Sequence, residues 1–318
     1  MRYLVLTGVF TTFFSALNIY AQQSCDCNER LRNLAWYYYT QHRFDESLAA
    51  MTKAISIKET ESSDTDYFIL ALAYSAIDSV DQAFNALLNA AKKGLNREFF
   101  ESEDFKNVKV KAGAERWKEI NNQYNDYHNQ YKLALNLEYR LAVEQLIGSD
   151  QRIRSSKDDL RQQDYILFDS LNFTDLKKLF EKYGFPSMKK DGFNWEVVDV
   201  FMMHYSVESL DKYKEVVKLL EAAHSQCLSD LGDISVITDR RKRWIDQTAQ
   251  TYGAWNLSSE KGVFGEIENV QEVDNRRFKY NLLRLKEQSE LEGRALPKDY
   301  KPLPYPKDYF CGFSSNLK

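Results

Sequence analysis

Two segments near the N-terminus of the chain repeat each other at an offset of 36 positions. Small, aromatic and aliphatic residues recur in the same order in both segments. The matched pairs are Leu34-Ala35 with Leu70-Ala71, Tyr38 with Tyr74, Phe44 with Val80, Ser47 with Ala83, Met51 with Leu87 and Ala54 with Ala90. The helical spacing of these positions predicts two helices in each segment, with turns at 41–43 and 78–79. The sequence therefore predicts two helical hairpins whose small residues allow close helix contacts.

The repeat resembles the tetratricopeptide repeat, whose usual period is about 34 residues. The glycine expected near the first turn and the proline that often ends the unit are absent here. The resemblance implies a repeat module over residues 22–113, through which we expect a protein or peptide partner to bind. Such arrays need about three units for stability, so the next segment has to cover the second hairpin.

The segment that follows, residues 114–147, contains neither glycine nor proline. Its apolar residues step by three and four positions, which is the spacing of one helix face. They are Trp117, Ile120, Tyr124, Tyr127, Tyr131 and Leu135. We predict one long connecting helix, about 50 Å in length at 1.5 Å per residue, which leads from the repeats into the C-terminal half.

The N-terminus has the pattern of a secretory signal peptide. Arg2 supplies a positive charge, residues 4–17 are mainly apolar, and Ala21 offers a small residue for cleavage. Residues 1–21 are therefore expected to be removed, and the mature chain is expected in the periplasm or outside the cell. The alternative is a retained membrane anchor, but the apolar stretch is shorter than the roughly 20 residues of a membrane span. No span is expected after cleavage.

Four cysteines remain in the expected mature chain, namely Cys25, Cys27, Cys227 and Cys311. An oxidising compartment permits two disulfides, with three possible pairings. Cys25 and Cys27 are too close in sequence to pair comfortably with each other. The alternative for Cys227 is a small core residue on a helix. Zinc is not expected, because no histidine or second cysteine pair lies near Cys25 and Cys27.

Composition and missing motifs narrow the classes of function. The 318 residues carry a net charge of −4, so no basic surface for nucleic acid is expected. The chain has no Gly-x-Ser-x-Gly elbow, no phosphate-binding glycine loop, no dinucleotide fingerprint and no His-Glu-x-x-His pair. Only His204 of the four histidines is a candidate metal ligand, and the carboxylates are scattered along the sequence. We therefore expect neither a metal nor a cofactor.

Residues 148–292 are predicted to form a helical domain with a small β-hairpin. Helices are predicted to begin at Asn172 or Thr174, at Asn194, at Glu208, at Asp233 and at Val273, the last running to about Glu292. Short aromatic and β-branched runs at 250–255 and 262–267 predict the two strands of the hairpin. The proline-rich tail, residues 293–318, is expected to lie extended over the domain. The predicted fold class is therefore mainly α.

Polar residues occupy helix positions that the periodicity assigns to apolar ones. They are Asp150, Gln151, Arg154, His204, Asp239 and Arg240. Burying such groups is costly unless they satisfy one another or a ligand. His204 could act as a general base oriented by Asp150 or Asp239, and an arginine could hold an anionic group. The alternative is a buried structural network, since Asp150 and Arg154 have the spacing of a pair on one helix.

These residues belong to motifs that resemble an uncharacterised bacterial family, a domain of unknown function. The matching elements are Asp150-Gln151-Arg152-Ile153-Arg154, Gly184-Phe185-Pro186, His204, Asp239-Arg240, Gln250-Thr251-Tyr252-Gly253 and Val273-Asp274-Asn275-Arg276-Arg277. The match covers roughly residues 141–283. The family has Ala-Asp after its histidine and Thr-Gln after its Tyr-Gly, where this chain has Tyr205-Ser206 and Ala254-Trp255. The resemblance implies a shared fold and adds Gln250, Tyr252, Arg276 and Arg277 to the candidate ligand-binding residues, but it implies no known reaction.

Together these patterns favour an exported interaction or ligand-binding protein, with a small anionic ligand as a further candidate partner. The runner-up is a hydrolase that acts on an anionic substrate, with His204, Asp150 and Asp239 as catalytic candidates. Both hypotheses require the polar residues to converge from separate helices at a point that solvent can reach. A sealed cluster would instead indicate a structural network.

Overall fold

The computed structural model describes residues 24–57, 62–155, 162–187, 189–192, 196–255 and 262–313. This part of the chain is mainly α-helical, as the sequence predicts. The predicted signal peptide, residues 1–21, lies outside it. Within these ranges, no helix combines the length and the apolar character that crossing a membrane requires.

The first four helices form two hairpins, as predicted. Helix α1 covers residues 24–40, and it is followed by α2 (Phe44–Ile57), α3 (Asp64–Ala76) and α4 (Val80–Lys92). His42 and Asp78 occupy equivalent turn positions, and both have a positive φ, 57° and 60°. The matched small residues Ala35, Ala71, Ala54 and Ala90 are completely buried. The two hairpins therefore repeat in backbone conformation as well as in sequence.

Three further elements cover the second hairpin. They are the short helix α5 (Arg97–Phe100), the turn Glu103–Phe105 and helix α6 (Lys106–Ala134), whose regular backbone is interrupted at Gly113. Ile120 and Tyr124 of α6 are buried against the α4 side chains. The Tyr124 hydroxyl donates a hydrogen bond to the Leu95 carbonyl at 2.9 Å. Helix α6 thus provides the cover that two repeats need.

The prediction of one continuous connecting helix over 114–147 is wrong. Helix α6 ends at Ala134, Leu135 is extended, and α7 runs over Leu137–Ser155. Asn136 explains the break, because its side-chain oxygen accepts a hydrogen bond from the Tyr139 amide at 3.0 Å and so caps a new helix. Its own amide donates to the Lys190 carbonyl at 2.7 Å.

The C-terminal half continues with α8 (Gln162–Tyr183), α9 (Glu196–Ser206), α10 (Leu210–His224) and α11 (Leu231–Arg241), followed by a wide helical turn at Lys242–Asp246. Helix α8 begins well before the predicted start at Asn172 or Thr174. The Thr174 hydroxyl bonds back to the Ser170 carbonyl, and the Asn172 amide reaches Asp150 on α7. Neither side chain caps a helix, which is why the prediction failed; Asn194 lies outside the described residues.

The predicted β-hairpin at 250–267 is not confirmed. Among its described residues, Gln250 and Ile267 form only an isolated parallel bridge, and Val263 forms another with Ala295. The backbone amides of 251, 252 and 254 donate instead to the Asp239 carboxylate. The Asp239 side chain therefore accepts hydrogen bonds from backbone amides that strand pairing would need as donors.

The predicted helix from Val273 to Glu292 is broken into α12 (Val273–Phe278) and α13 (Leu285–Glu292). Between them Asn281 has a positive φ of 57°. Its side-chain amide donates to Glu29 at 2.7 Å and to Asp26 at 3.0 Å, both on α1. Contacts with a distant helix hold this turn, so local periodicity could not reveal it.

Helix α1 is tied to the C-terminal half by two disulfides, Cys25–Cys227 and Cys27–Cys311. The second bond anchors the tail, whose Tyr309 and Phe310 pack in one core with Leu31 and Leu34 of α1. The Tyr300 hydroxyl donates to the Asp274 carboxylate at 2.9 Å. The proline-rich tail is therefore laid over the helices.

Candidate functional site

Five of the polar side chains in the C-terminal half converge from four helices. Helix α7 contributes Asp150 and Arg154, α8 contributes Asp169, α9 contributes His204 and α11 contributes Arg240. Asp150 and Arg240 are buried, whereas 27% of the Arg154 side chain and 20% of the His204 side chain are exposed. We call these five residues the Asp150 cluster. It is buried on one side and reaches solvent on the other.

Arg154 bridges the two carboxylates of the cluster. Its Nε lies 3.1 and 3.2 Å from the two oxygens of Asp150, and its Nη2 donates to Asp169. Asp150 also accepts hydrogen bonds from Gln151 at 3.2 Å and from Asn172 at 3.4 Å. Such charge-assisted bonds are stronger than neutral ones. The predicted pairing of Asp150 with Arg154 along one helix is confirmed.

His204 contributes a ring nitrogen that no group of the described residues engages. Its Nδ1 is buried, has no hydrogen-bond partner, and lies 4.0 Å from an Asp150 oxygen. Burial lowers the pKa of His204 to about 4, and the positive charges of Arg154 and Arg240 act in the same direction. The imidazole is therefore neutral at neutral pH, and one buried nitrogen is available to a ligand.

Arg240 is the most unusual member of the cluster. It is 94% buried, and its Nε and Nη1 find no hydrogen-bond acceptor in the part of the chain that the structure describes. The guanidinium lies 4.6 Å from the ring centre of Trp244 and 5.5 Å from that of Trp255. Burial lowers its pKa, and the nearby charge of Arg154 adds to this effect. The aromatic faces offset only part of the cost of a buried cation without acceptors.

Asp169 belongs to the cluster but was not a candidate from sequence. Burial raises the pKa of Asp169 to about 6, against the opposing charge of Arg154. It was missed because the predicted helix began after it, at 172 or 174. The signal available was its spacing of seven residues before Leu176, which places both on one face of a longer helix.

The ligand atoms of Asp150, Asp169 and His204 lie within 4.8 Å of one another, a set that could hold a metal ion. However, Arg154 already bridges both carboxylates. With His204 neutral, two guanidiniums balance two carboxylates when both acids are ionised. A divalent cation would add charge beside two arginines, whereas an anion at Arg240 would meet the guanidinium that is further from compensation, because both carboxylates are held by Arg154.

The remaining candidates lie in a second network that shapes residues 250–255. Asp239 accepts the three backbone amides, Gln250 accepts the Trp255 amide at 3.1 Å, and Arg276 donates to the Thr251 carbonyl at 2.8 Å. Arg277 donates to the Tyr252 and Leu283 carbonyls. The side chains of Asp239, Gln250, Arg276 and Arg277 thus bind backbone groups, whereas Tyr252 offers its own backbone to this network and its ring meets Tyr280 edge to face. They contribute to the cluster indirectly, by positioning Trp255 beside Arg240.

A cavity of about 510 Å³ lies where α1, α3 and α6 meet the α10–α11 connection. Burial raises the pKa of Glu29 in its wall to about 7, and the charge of Asp230 adds to the shift. His224 contacts the Ser229 carbonyl and Asp26, both at 2.8 Å. Burial opposes a rise in its pKa, but Asp26 and Glu29 outweigh that effect. These groups satisfy one another, so we assign them to the packing of α1.

We expect His204 to titrate near pH 4 in the folded protein, well below its ordinary value of 6.5. Between these pH values the unfolded chain binds a proton that the folded chain does not, so this residue reduces stability as the pH falls from 6.5 to 4. An NMR titration of the imidazole signals, assigned with His204→Gln, measures the midpoint. A midpoint at pH 6 or above would contradict the desolvated, arginine-flanked environment.

Comparison of the chain with protein-family models, with curated proteins and with solved structures finds no match. The chemistry of the Asp150 cluster is therefore the basis for inferring function. The cluster offers two guanidinium groups, a neutral imidazole and a carboxyl group whose pKa lies close to physiological pH. These groups can bind an anion and can exchange a proton with it.

Proposed function

We propose that this chain is an exported ligand-binding protein that holds a small anion at the Asp150 cluster. Export rests on the signal-peptide pattern of residues 1–21. It is supported by the two disulfides, because such bonds persist mainly in oxidising compartments. The resemblance of the cluster motifs to an uncharacterised family supplies no ligand.

The observation that carries the proposal is that two buried nitrogens of the Arg240 guanidinium, Nε and Nη1, have no hydrogen-bond acceptor among the described residues. A buried polar group without a partner typically costs about 1–3 kcal/mol, and a charged group costs more. The charge of Asp169 opposes this cost only in part, because Arg154 already engages both Asp150 and Asp169 and the pKa of Arg240 stays lowered. An anionic ligand would supply the missing acceptors at Nε and Nη1. The buried Nδ1 of His204 offers a further polar contact beside them.

Arg240→Met tests the proposal, because ligand binding and structural support predict opposite results. If Arg240 is kept for a ligand, the variant should fold with an unchanged or higher melting temperature, since it removes an uncompensated buried charge. Its affinity for the probes inorganic phosphate, sulfate and citrate should fall at least tenfold, because a charged hydrogen bond contributes about 1.5–3 kcal/mol. Calorimetric titration and thermal shifts measure both quantities.

The matched control is Arg152→Met on the same helix as Arg154, where the side chain is exposed. This variant should keep both the affinity and the melting temperature of the original chain. A large loss of stability in Arg240→Met, with no shift of the original chain by any anion, would show that the guanidinium supports the fold.

A hydrolase remains the second candidate, and Asp169 is the observation that favours it. A carboxyl group with a pKa of about 6 can donate a proton near neutral pH, and the neutral His204 can accept one. Pairs of titratable groups whose pKa values are shifted by their surroundings are typical of acid–base catalysis. Turnover of p-nitrophenyl phosphate or p-nitrophenyl acetate that is lost in Asp169→Asn and His204→Gln would favour the enzyme over simple binding.

A further inference from the structure

The hairpin module carries an open cleft on a surface that shares no residue with the Asp150 cluster. Helices α1, α3 and α5 and the turn after α5 form its walls. The lining residues are Trp36, Tyr39, Phe68, Leu72, Glu98, Phe99, Ser102 and Asp104. The cleft therefore combines four aromatic rings with two carboxylates.

Two of the four aromatic rings are exposed to a degree that a folded core does not require. Trp36 is 41% exposed and Phe99 is 47% exposed. The Trp36 ring stacks on Tyr39 with centroids 5.6 Å apart, and Phe68 meets Phe99 edge to face at 5.4 Å. Contiguous exposed aromatic surface of this kind marks interaction sites more often than isolated apolar residues do.

The two carboxylates of the cleft have no cationic partner among the described residues. Glu98 is exposed, and Asp104 accepts a hydrogen bond only from Ser102 through its side chain. The nearby cations are engaged elsewhere, since Arg97 pairs with Glu101. Burial raises the pKa of Tyr39, and the charge of Asp104 adds to this rise. Asp104 lines the same cleft as the aromatic rings and can therefore act on the same ligand.

We infer that this cleft binds a lysine or arginine side chain of a partner polypeptide, with apolar residues on either side of that cation. A cation is attracted to the faces of Trp and Tyr rings within about 6 Å, and a carboxylate beside them adds to the attraction. Phe68 and Phe99 provide apolar surface for the stem of the side chain and for its neighbours. A free ammonium ion would leave most of this exposed apolar surface uncovered, which favours a peptide.

A peptide array tests this inference with the full exported chain as the probe. Each nonapeptide carries arginine, lysine, norleucine or glutamate at its centre, between apolar residues that are varied at every flanking position. The peptides centred on arginine or lysine should bind at least fivefold more protein than those centred on norleucine. The peptides centred on glutamate should bind least, and added salt should weaken the basic set.

Variants of the cleft identify where the peptides bind. Glu98→Gln with Asp104→Asn keeps the shape of both exposed side chains and should reduce the affinity for the best basic peptide at least tenfold. Trp36→Leu should reduce it by a similar factor without changing the melting temperature. The control pair Glu115→Gln with Asp126→Asn, which removes two exposed charges from α6, should leave the affinity unchanged.

Three results would overturn the inference. One is equal binding of the basic and norleucine peptides, and another is unchanged affinity in the Glu98→Gln/Asp104→Asn variant. The third is competition by tetramethylammonium as strong as that of the best basic peptide, which would assign the cleft to free ammonium compounds. None of these results depends on anion binding by Arg240, so the two proposals can fail separately.

Discussion

Removing the Cys27–Cys311 disulfide by serine substitution of both residues is expected to lower the melting temperature by roughly 8–16 °C. The bond spans 284 residues and the Cys25–Cys227 bond spans 202. In the chain-entropy model, closing a loop of about 100 residues contributes about 4.7 kcal/mol, and the dependence on length is weak. We take about 4 kcal/mol for each bond, and 1 kcal/mol corresponds to about 2–4 °C in a chain of this size.

Removing both disulfides should have a larger effect, because their combined contribution approaches the total stability of about 5–15 kcal/mol of a typical domain. Both bonds hold α1, whose Glu29 and Arg32 bind the C-terminal helices. Without the bonds, α1 should separate first and become sensitive to trypsin at Arg30 and Arg32. Circular-dichroism melts and timed proteolysis, each with and without reductant, measure these two effects.

The four-serine variant serves as the control for reductant, which should change the native chain but not the variant. Peptide mapping under non-reducing conditions checks the pairing directly. Pairing of Cys25 with Cys311, or a melting temperature that changes by less than about 2 °C on reduction, would contradict this account of how α1 is held.

The elements that the sequence predicts well are those whose cause is local. The two hairpins follow from apolar spacing within each segment, and their turns fall where the periodicity breaks. Most of the Asp150 cluster is predictable for the same reason, since Asp150, Arg154 and His204 stand out against an apolar helix face. Local spacing did not reveal Asp169, whose helix begins earlier than predicted, and it did not separate Asp239, which binds backbone amides, from the residues of the cluster.

The elements that the sequence misses depend on distant partners. Asn136 interrupts the predicted connecting helix, because its side chain caps the start of α7 and its backbone amide donates to the Lys190 carbonyl. Asn281 breaks the last helix because α1 binds its side chain. The charges of α1 gave no signal either, because Glu29 looks like an ordinary polar residue until Gly232 and Asn281 are placed beside it. Periodicity reports which face is buried, but not what lies against that face.

Asp239 shows how a polar residue on an apolar stripe can be structural. Its carboxylate accepts the amides of Thr251 at 2.6 Å, Tyr252 at 3.1 Å and Ala254 at 2.7 Å. One side chain thus replaces the ladder of a hairpin and fixes the loop that carries Trp255. Asp239 and Arg240 both stand at polar positions on the same apolar helix face. The Asp239 carboxylate is fully hydrogen-bonded, whereas two nitrogens of Arg240 have no acceptor among the described residues. Only the partners distinguish a satisfied group from an unsatisfied one.

Asp239→Ala is therefore expected to destabilise the protein by about 3–5 kcal/mol, because it leaves three backbone amides without acceptors and water can reach only some of them. Asp239→Asn should also be destabilising, but less so, since one of its two oxygens remains. Asp211→Ala on the exposed start of α10 is the matched control, and it should cost less than about 1 kcal/mol, because only its interaction with the helix dipole is lost. Urea unfolding curves give all three values. If Asp239 instead serves the ligand directly, Asp239→Ala should keep nearly full stability while losing affinity for anions, and this result would move Asp239 from the supporting network into the site.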